Sequence, residues 1–348
     1  MLVKILAAGD YFMKPALFAE ALRAQQVTSE LAELHLSWPL EPFGPIAEVN
    51  EASGTEDELL AALNGVEVAV TQMAPFTERV LRAAPALRFI AVARGGPVNV
   101  NIPVASSLGI GVSNAPGRNA SAVAEYTVGL MLAVMRQIPD VHADLRRGRW
   151  RGDDYSYDRV GTELASSTVG LVGYGAVGAA VARLLRAFGS TILVYDPYVD
   201  VASLAEVGAK AVGLEELLSC STVVSLHARL SDETRSMISS KEIAAMPAGS
   251  FLVNTARGEL LDIDALCDAL ESGHLAGAAI DVFAPEPPPP GARVLVTPNL
   301  ILSPHLSGAT KQTAQRAAEI VAADVARYLA GERPANLLND VDLQVLRS

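Results

Sequence analysis

The chain has few cysteines, few aromatic residues and no long uninterrupted apolar segment. Two cysteines among 348 residues, Cys220 and Cys267, cannot form a network of disulfides, and we interpret both as core thiols. No group of Cys and His has the spacing of metal ligands, so no metal is expected. The longest apolar stretch, residues 123–135, contains Glu125 and is too short to span a bilayer, and the N-terminus lacks a signal-peptide pattern. These absences favour a globular cytoplasmic protein without a membrane partner.

Positive charge is also scarce. Lys and Arg number 27 against 39 Asp and Glu, which gives a formal net charge of −12. Nucleic-acid-binding proteins concentrate Lys and Arg against the phosphate backbone, so the composition argues against a nucleic-acid partner. An anionic small molecule would need a local positive pocket. The length suits two domains better than one.

The chain does contain a glycine-rich turn with the spacing Gly-x-Gly-x-x-Gly: Gly173, Tyr174, Gly175, Ala176, Val177 and Gly178. An apolar run at residues 168–172 predicts a buried strand before the turn, and apolar residues at helical spacing continue after it to Gly189. Glycines at these positions allow a tight turn and a close approach of the backbone to a pyrophosphate at the helix N-terminus. The unit predicts a dinucleotide-binding site.

Asp196 follows the next apolar run, residues 191–195. A carboxylate at this position accepts hydrogen bonds from the adenosine ribose hydroxyls and repels a 2′-phosphate. No Arg or Lys follows it closely. The predicted cofactor is therefore NAD rather than NADP.

Apolar runs from Thr168 onward predict a doubly wound parallel sheet of six strands, with Asp196 on the second strand. The runs are residues 168–172, 191–195, 223–226, 250–253, 278–282 and 300–303. A smaller α/β unit is predicted before them, with strands at 3–7, 67–71 and 88–93 and helices at 15–25 and 77–84.

Two further helices are predicted around the main sheet. One is a long apolar helix that begins at Asn119 and leaves through the basic residues 145–150, where Trp150 and the neighbouring arginines are expected to make packing and interdomain contacts. The other covers residues 310–329 and can return to pack on the first unit, which would make that domain discontinuous.

Polar side chains follow the predicted strands of the main sheet, and ligands of open parallel sheets lie at that edge. Arg257, Glu286 and His305 have complementary chemistry. Arg pairs a carboxylate bidentately, and His is a proton donor near neutral pH whose pKa a carboxylate can raise. The set suits hydride transfer between a 2-hydroxy acid and nicotinamide, with Glu286 holding His305 charged.

Several motifs in order make the chain similar to the D-2-hydroxyacid dehydrogenases, in particular the phosphoglycerate dehydrogenase-like group. They are Asn114–Asn119 with Val123–Glu125, Gly173–Gly178 with Asp196, Asn254–Gly258, Gly277–Phe283 with Glu286 and Pro287, and Ser303–Gly308. The resemblance implies that Arg257, Glu286 and His305 are catalytic. It implies cofactor contacts by the glycine turn and Asp196, and by His227, Thr255, Ala256, Arg257, Asp281, His305 and Ser307.

The family's substrate loop corresponds here to Arg94, Gly95 and Gly96, whose amides would hold the substrate carboxylate together with Arg257 and His305. Arg94 departs from the family's commoner small residue. Two interpretations stay open: a contact to a second anionic or polyhydroxylated part of the substrate, or an ion pair. Thr71-Gln72 lacks the Arg that meets the phosphate in phosphoglycerate dehydrogenases, which argues against 3-phosphoglycerate as substrate.

The resemblance implies an α/β protein of two Rossmann-like domains with a cleft between them. Residues 1–117 and 308–348 would form a flavodoxin-like substrate domain, and residues 118–307 the doubly wound NAD-binding domain. A homodimer formed through residues 119–137 is implied as well. The alternative function is an NAD(H)-sensing binding protein similar to the C-terminal-binding corepressors, which keep the fold and the three catalytic residues.

Overall fold

The computed structural model describes residues 2–41 and 43–342. The chain divides into two compact units: one runs to Arg118 and resumes at Ala309, and the other is Asn119–Gly308. Each boundary lies one residue from the one expected from the sequence. Among the described residues, no helix combines the length and apolar character needed to cross a bilayer.

The first unit is built on a parallel sheet of order β2-β1-β5-β6-β7, with β3 and β4 paired in an antiparallel hairpin. The strands are β1 (Val3–Gly9), β2 (Ser29–His35), β3 (Gly44–Ile46), β4 (Val49–Ala52), β5 (Val68–Thr71), β6 (Phe89–Val92) and β7 (Gly111–Ser113). The strands predicted from apolar runs are β1, β5 and β6, and every residue of β5 and β6 is buried. The sequence prediction missed β2, β7 and the hairpin, because these edge or short strands carry no continuous apolar run.

Short helices connect these strands: α1 (Pro15–Ala24), α2 (Glu56–Ala62), α3 (Glu78–Ala83) and α4 (Ile102–Ser107). A capping box begins α2, in which Thr55 and Glu58 satisfy each other's backbone amides. The sequence prediction missed α2 and α4.

Among the described residues, the second unit contains seven parallel strands in the order β10-β9-β8-β11-β12-β13-β14. They are β8 (Thr168–Val172), β9 (Thr191–Tyr195), β10 (Lys210–Ala211), β11 (Val223–Leu226), β12 (Ser250–Asn254), β13 (Leu275–Ile280) and β14 (Leu300–Leu302). All six predicted strands are present, and the two-residue edge strand β10 adds a seventh. The strand order reverses beside β8, so the glycine turn that follows β8 lies at the topological switch point, where such sheets bind ligands.

The helices that accompany this sheet are α5 (Ala120–Met135), α6 (Ile138–Arg146), α7 (Ala176–Phe188), α8 (Val201–Ala205), α9 (Leu214–Cys220), α10 (Ser240–Ala244) and α11 (Ile263–Glu271). The prediction of one continuous helix after Asn119 is wrong. The chain breaks after α5, where Gln137 takes a left-handed φ of 51°, and Pro139 lies in the first turn of α6. A proline suits the start of a new helix and cannot continue an old one, because it has no amide hydrogen.

Two further predictions are wrong, because the side chains concerned are exposed to solvent. Trp150 is 76% exposed, so it does not pack as predicted. Cys220 is exposed at the end of α9 and is not a core thiol, whereas Cys267 is fully buried.

The last helix, α12 (Lys311–Leu329), belongs to the first unit. Its small and apolar face, including Ala317 and Val321, packs in the same core as β1, β5 and β6. Near its end the ring of Tyr328 stacks on Phe89 with 4.8 Å between centroids. The C-terminal segment therefore completes the core of the unit that the N-terminus begins.

Candidate active site

The glycines of the turn after β8 are required for different reasons. Gly173 has a φ of 100°, and a Cβ there would lie 2.5 Å from the amide nitrogen of Ala228. A Cβ on Gly178 would lie 2.3 Å from the carbonyl oxygen of Gly173, so close packing of helix on turn requires glycine. A Cβ on Gly175 would meet open space. The first and last glycines thus serve the fold, and the middle one leaves room for a ligand to approach the backbone.

The N-terminus of α7 is available to an anion. Gly175 is its N-cap, so no side chain caps the first amides of the helix. Free amides and the positive end of the helix dipole favour a phosphate at this position. The turn therefore fits the pyrophosphate of a dinucleotide.

Asp196 lies directly after β9, at the end of the apolar run 191–195 that predicts this strand. Its Oδ2 accepts a hydrogen bond from the Tyr174 amide at 2.7 Å, and its Oδ1 accepts one from the Tyr198 amide at 2.9 Å. These bonds hold the carboxylate beside the glycine turn. This is a suitable place for contact with the ribose hydroxyls of a nucleotide whose phosphates lie on α7.

Asp281 organises the loop after β14 that carries His305. Asp281 is fully buried, and its carboxylate accepts hydrogen bonds from the amides of Leu306 at 2.9 Å and Ser307 at 2.8 Å, as well as from the Ser303 hydroxyl. His305 itself has a left-handed φ of 54°, and its amide donates to the Asp281 carbonyl at 2.9 Å. The predicted contact of Asp281 with the cofactor stays a prediction.

Glu286 and His305 are in direct contact. Glu286 Oε1 and His305 Nδ1 lie 2.8 Å apart, with the side chains 30% and 43% exposed. The hydrogen bond to Glu286 raises the pKa of His305 above its usual value, against the opposing effects of burial and the positive charge of Arg257. With Nδ1 bonded to the carboxylate, Nε2 is left to exchange a proton with a substrate.

The backbone at Arg257 is held in place by the side chain of Asn254. The side-chain amide of Asn254, at the end of β12, donates to the Arg257 carbonyl at 2.9 Å and accepts from the Ala256 amide at 3.0 Å. The hydroxyls of Thr255 and Thr127 lie 2.7 Å apart, which ties the same loop to α5. The guanidinium of Arg257 is exposed and close enough to His305 to influence its pKa. Sequence reasoning included Asn254 in a motif but did not assign it this positioning role.

His227 directly follows β11 and is partly buried. Its Nε2 lies 2.9 Å from the Ser225 hydroxyl, and its Nδ1 has no hydrogen-bond partner among the residues that the structure describes. Burial lowers the pKa of His227 to about 4, so the imidazole is neutral at neutral pH. Its predicted position along the cofactor is untested by these contacts.

The predicted substrate loop lies in the first unit, after β6. The guanidinium of Arg94 pairs with the Glu51 carboxylate and donates from Nη1 to the Glu51 carbonyl at 3.1 Å. Arg94 therefore forms an ion pair, which is the second of the two interpretations given above. The sequence did not indicate that Glu51 is the partner. A Cβ added at Gly95 or Gly96 would meet open space, as a loop that receives a ligand on its backbone requires.

Arg118 is a second arginine that sequence reasoning left without a role. Burial lowers the pKa of Arg118 to about 10, and the nearby charge of Arg94 acts in the same direction. Within residues 2–41 and 43–342, no cluster of three or more His, Cys, Asp or Glu side chains has the geometry of a metal site.

Comparison with known proteins identifies the family. The sequence model described as "D-isomer specific 2-hydroxyacid dehydrogenase, NAD binding domain" matches residues 128–307. A glyoxylate reductase of Korarchaeum cryptofilum is 35% identical over 96% of this chain and 98% of its own length. A D-3-phosphoglycerate dehydrogenase of Mycobacterium tuberculosis is 37% identical over 85% of this chain, but the match spans only 56% of that protein.

The fold agrees with these matches. A protein of known structure from Thermus thermophilus superposes with a TM-score of 0.79 at 31% identity, covering 97% of this chain and 100% of the other. The parallel sheets predicted from the sequence are present, and the chain is an NAD-dependent oxidoreductase, as its motifs predict. The chain belongs to the D-isomer specific 2-hydroxyacid dehydrogenase family.

Proposed function

We propose that this protein reduces an unphosphorylated 2-keto acid to the D-2-hydroxy acid, with Arg257, Glu286 and His305 as its catalytic residues. The observation that carries the proposal is the 2.8 Å contact between Glu286 Oε1 and His305 Nδ1 at the end of the sheet that also bears the glycine turn. Such a pair supplies a proton near neutral pH.

The roles follow from the chemistry of each side chain. NADH, when bound, supplies the hydride. His305 donates the proton from Nε2 to the keto oxygen, and Glu286 stabilises the imidazolium through Nδ1. Arg257 binds the substrate carboxylate and polarises the keto group. Gly95 and Gly96 keep the role that the resemblance implies for them, as a loop whose backbone amides bind a carboxylate.

The choice of an unphosphorylated substrate has two supports. The glyoxylate reductase of K. cryptofilum matches over nearly its whole length. By contrast, the chain spans only about half the length of the phosphoglycerate dehydrogenases that it resembles. Thr71 ends β5 and Gln72 follows it, at the place where an Arg would be expected to meet a phosphate, and both are buried, at 0% and 4% exposure. A cytoplasmic location and a homodimer formed through residues 119–137 remain part of this proposal, on the resemblance alone.

The experiment is NADH consumption, followed by absorbance, with glyoxylate, hydroxypyruvate, 3-phosphohydroxypyruvate, pyruvate and 2-ketogluconate. His305→Gln is expected to lower kcat at least about a hundredfold while NADH binding persists. His142→Gln, an exposed histidine of the same unit, is the matched control. Turnover that survives in His305→Gln would contradict the assigned acid. NADH binding without turnover of any keto acid would favour the sensing function instead.

A further inference from the structure

Arg229 is a cation at the ligand-binding edge of the second unit, and the reaction described above does not use it. His227, Ala228 and Arg229 follow directly after β11. In the sheet, β11 pairs with β8 on the side opposite β9, at the point where the strand order reverses. Ligands of such sheets bind at the carboxyl ends of these strands. Arg229 therefore begins at the edge where the dinucleotide is expected to bind.

The backbone just before Arg229 packs directly on the glycine turn. A Cβ added to Gly173 would lie 2.5 Å from the amide nitrogen of Ala228 and 2.7 Å from its Cα. Consecutive Cα atoms are about 3.8 Å apart, so the Cα of Arg229 lies within roughly 7 Å of that position. The Arg229 carbonyl accepts a hydrogen bond from the Thr234 hydroxyl at 2.7 Å, which fixes the backbone. The long arginine side chain can therefore reach a group that is bound on the turn.

The guanidinium of Arg229 is available to an anion. The residue is exposed, and within the part of the chain that the structure describes its guanidinium makes no hydrogen bond or ion pair. By contrast, Arg151, Arg159 and Arg293 of the same unit pair with carboxylates. A guanidinium presents its donors in a planar fork that binds two phosphate oxygens at once. Arg229 thus has both the charge and the geometry for a phosphate ligand.

The cofactor site needs a positive charge that the glycine turn does not supply. The segments that follow β8, β9 and β11 are residues 173–178, 196–200 and 227–231. Arg229 is the one cation in these described segments, because burial keeps His227 neutral at neutral pH. Asp196 places a carboxylate beside the turn, with Oδ2 2.7 Å from the Tyr174 amide, and forms no ion pair with any described residue. A pyrophosphate on the turn would be repelled by this carboxylate unless a cation offset the repulsion.

We propose that Arg229 binds the pyrophosphate of NAD, with its guanidinium paired to phosphate oxygens on the side of the turn opposite Asp196. In this arrangement the turn and α7 supply backbone amides, and Arg229 supplies the positive charge that they lack. Arg229 takes no part in hydride or proton transfer, so its role is the same whichever keto acid is reduced.

Arg229→Gln tests the contact, because glutamine keeps a polar side chain but removes the charge. The Kd of NADH, from fluorescence titration at low ionic strength, is expected to rise at least about tenfold. Arg229→Lys restores the charge without the planar fork and should recover part of the affinity. An unchanged Kd in Arg229→Gln would overturn the proposal.

Arg186→Gln is the matched control. It removes an exposed arginine from the last turn of α7, about 15 Å along the helix from the glycine turn. The net charge of the protein changes by the same amount as in Arg229→Gln, so a long-range effect of charge would appear in both variants. The Kd of NADH in Arg186→Gln should stay within about twofold of the parent. An equal loss of affinity in the two variants would contradict a direct contact by Arg229.

Fragments of the cofactor show which part Arg229 contacts. Competition against NADH fluorescence gives the Kd of ADP-ribose, which contains the pyrophosphate, and of adenosine, which contains no phosphate. In Arg229→Gln the Kd of ADP-ribose is expected to rise by about the same factor as that of NADH, and the Kd of adenosine to stay within about twofold. An equal rise for adenosine would place the guanidinium on the adenine or the ribose and overturn the pyrophosphate contact.

The salt dependence of binding separates an ion pair from a structural role. Salt screens an exposed ion pair, so the difference in NADH affinity between the parent and Arg229→Gln should shrink to below about threefold at 1 M salt. The midpoint of thermal unfolding should not change, because the side chain is exposed. A difference in affinity that persists at high salt, or a lowered midpoint, would show that Arg229 supports the fold and does not bind the phosphates.

Discussion

At the scale of single residues, the contact between Glu286 and His305 sets the pH range of the proposed reduction. The hydrogen bond from His305 to Glu286 raises the pKa of His305, and reduction needs the protonated imidazole. Activity is therefore present below this pKa and is lost as pH rises through it. In Glu286→Gln the largest raising effect disappears, while burial and Arg257 still lower the pKa. The pH at which kcat falls by half should move to a lower value.

The measurement is kcat for keto-acid reduction across a pH series in the parent and in Glu286→Gln. Glu233→Gln removes an exposed carboxylate from the same unit and should leave the profile in place. A profile that is the same in the Glu286 variant and the parent would show that another group controls the protonation of His305.

At this scale, the sequence predicted functional residues whose side-chain type alone indicates a chemical role. Arg257, Glu286 and His305 were selected because a guanidinium, a carboxylate and an imidazole follow successive predicted strands. It missed Glu51 as the partner of Arg94, because 43 residues separate the two along the chain.

At the scale of the element, the turn between β8 and α7 separates the requirements of folding from those of binding. Gly173→Ala forces a side chain into a φ of 100° with backbone atoms within 3 Å, which should cost at least about 2 kcal/mol of unfolding free energy. In Gly175→Ala the added methyl group meets open space at a φ of −75°. The unfolding free energy of this variant should therefore stay within about 0.5 kcal/mol of the parent. Its NADH affinity should nevertheless fall, because the added methyl occupies the approach to the helix N-terminus.

Thermal unfolding and NADH fluorescence titration of Gly173→Ala and Gly175→Ala test these predictions of stability and affinity. Loss of stability in Gly175→Ala comparable to that in Gly173→Ala would show that the middle glycine also serves the fold. Unchanged NADH affinity in Gly175→Ala would place the pyrophosphate elsewhere.

Elements that are buried on both faces were the easiest to predict. The six principal strands of the second unit read as apolar runs because helices cover both faces of a parallel sheet. The edge strand β2 alternates partly buried and exposed residues and was missed. The break between α5 and α6 was also missed, although Pro139 marks it in the sequence, because the apolar character of α5 dominated the interpretation.

At the scale of the whole molecule, the chain returns to its first unit through α12. Tyr328 is fully buried against Phe89 on β6, and burial raises its pKa to about 12. Tyr328→Ala should lower the unfolding free energy of the first unit by about 3–5 kcal/mol, the usual cost of removing a buried aromatic ring.

Trp38 allows that unit to be monitored alone. In a Trp150→Phe background it is the one remaining tryptophan of the sequence, so denaturant unfolding followed by tryptophan fluorescence reports on the first unit. Tyr155→Ala, at a side chain 84% exposed, is the control and should leave the midpoint unchanged. An unchanged midpoint in Tyr328→Ala would mean that α12 does not stabilise the core of this unit.

The sequence by itself determined the class of the protein, because the signals are local. Tight turns need glycine, buried strands need apolar runs, and a cofactor ribose needs a carboxylate at a set distance along the chain, as at Gly173–Gly178 and Asp196. Tertiary structure alone decided which groups meet. It paired Arg94 with Glu51, and it set the 2.8 Å contact between Glu286 Oε1 and His305 Nδ1, two residues whose partnership the sequence predicts without its geometry. These contacts join residues distant in sequence, and their geometry depends on how strands and loops pack, which no local pattern encodes.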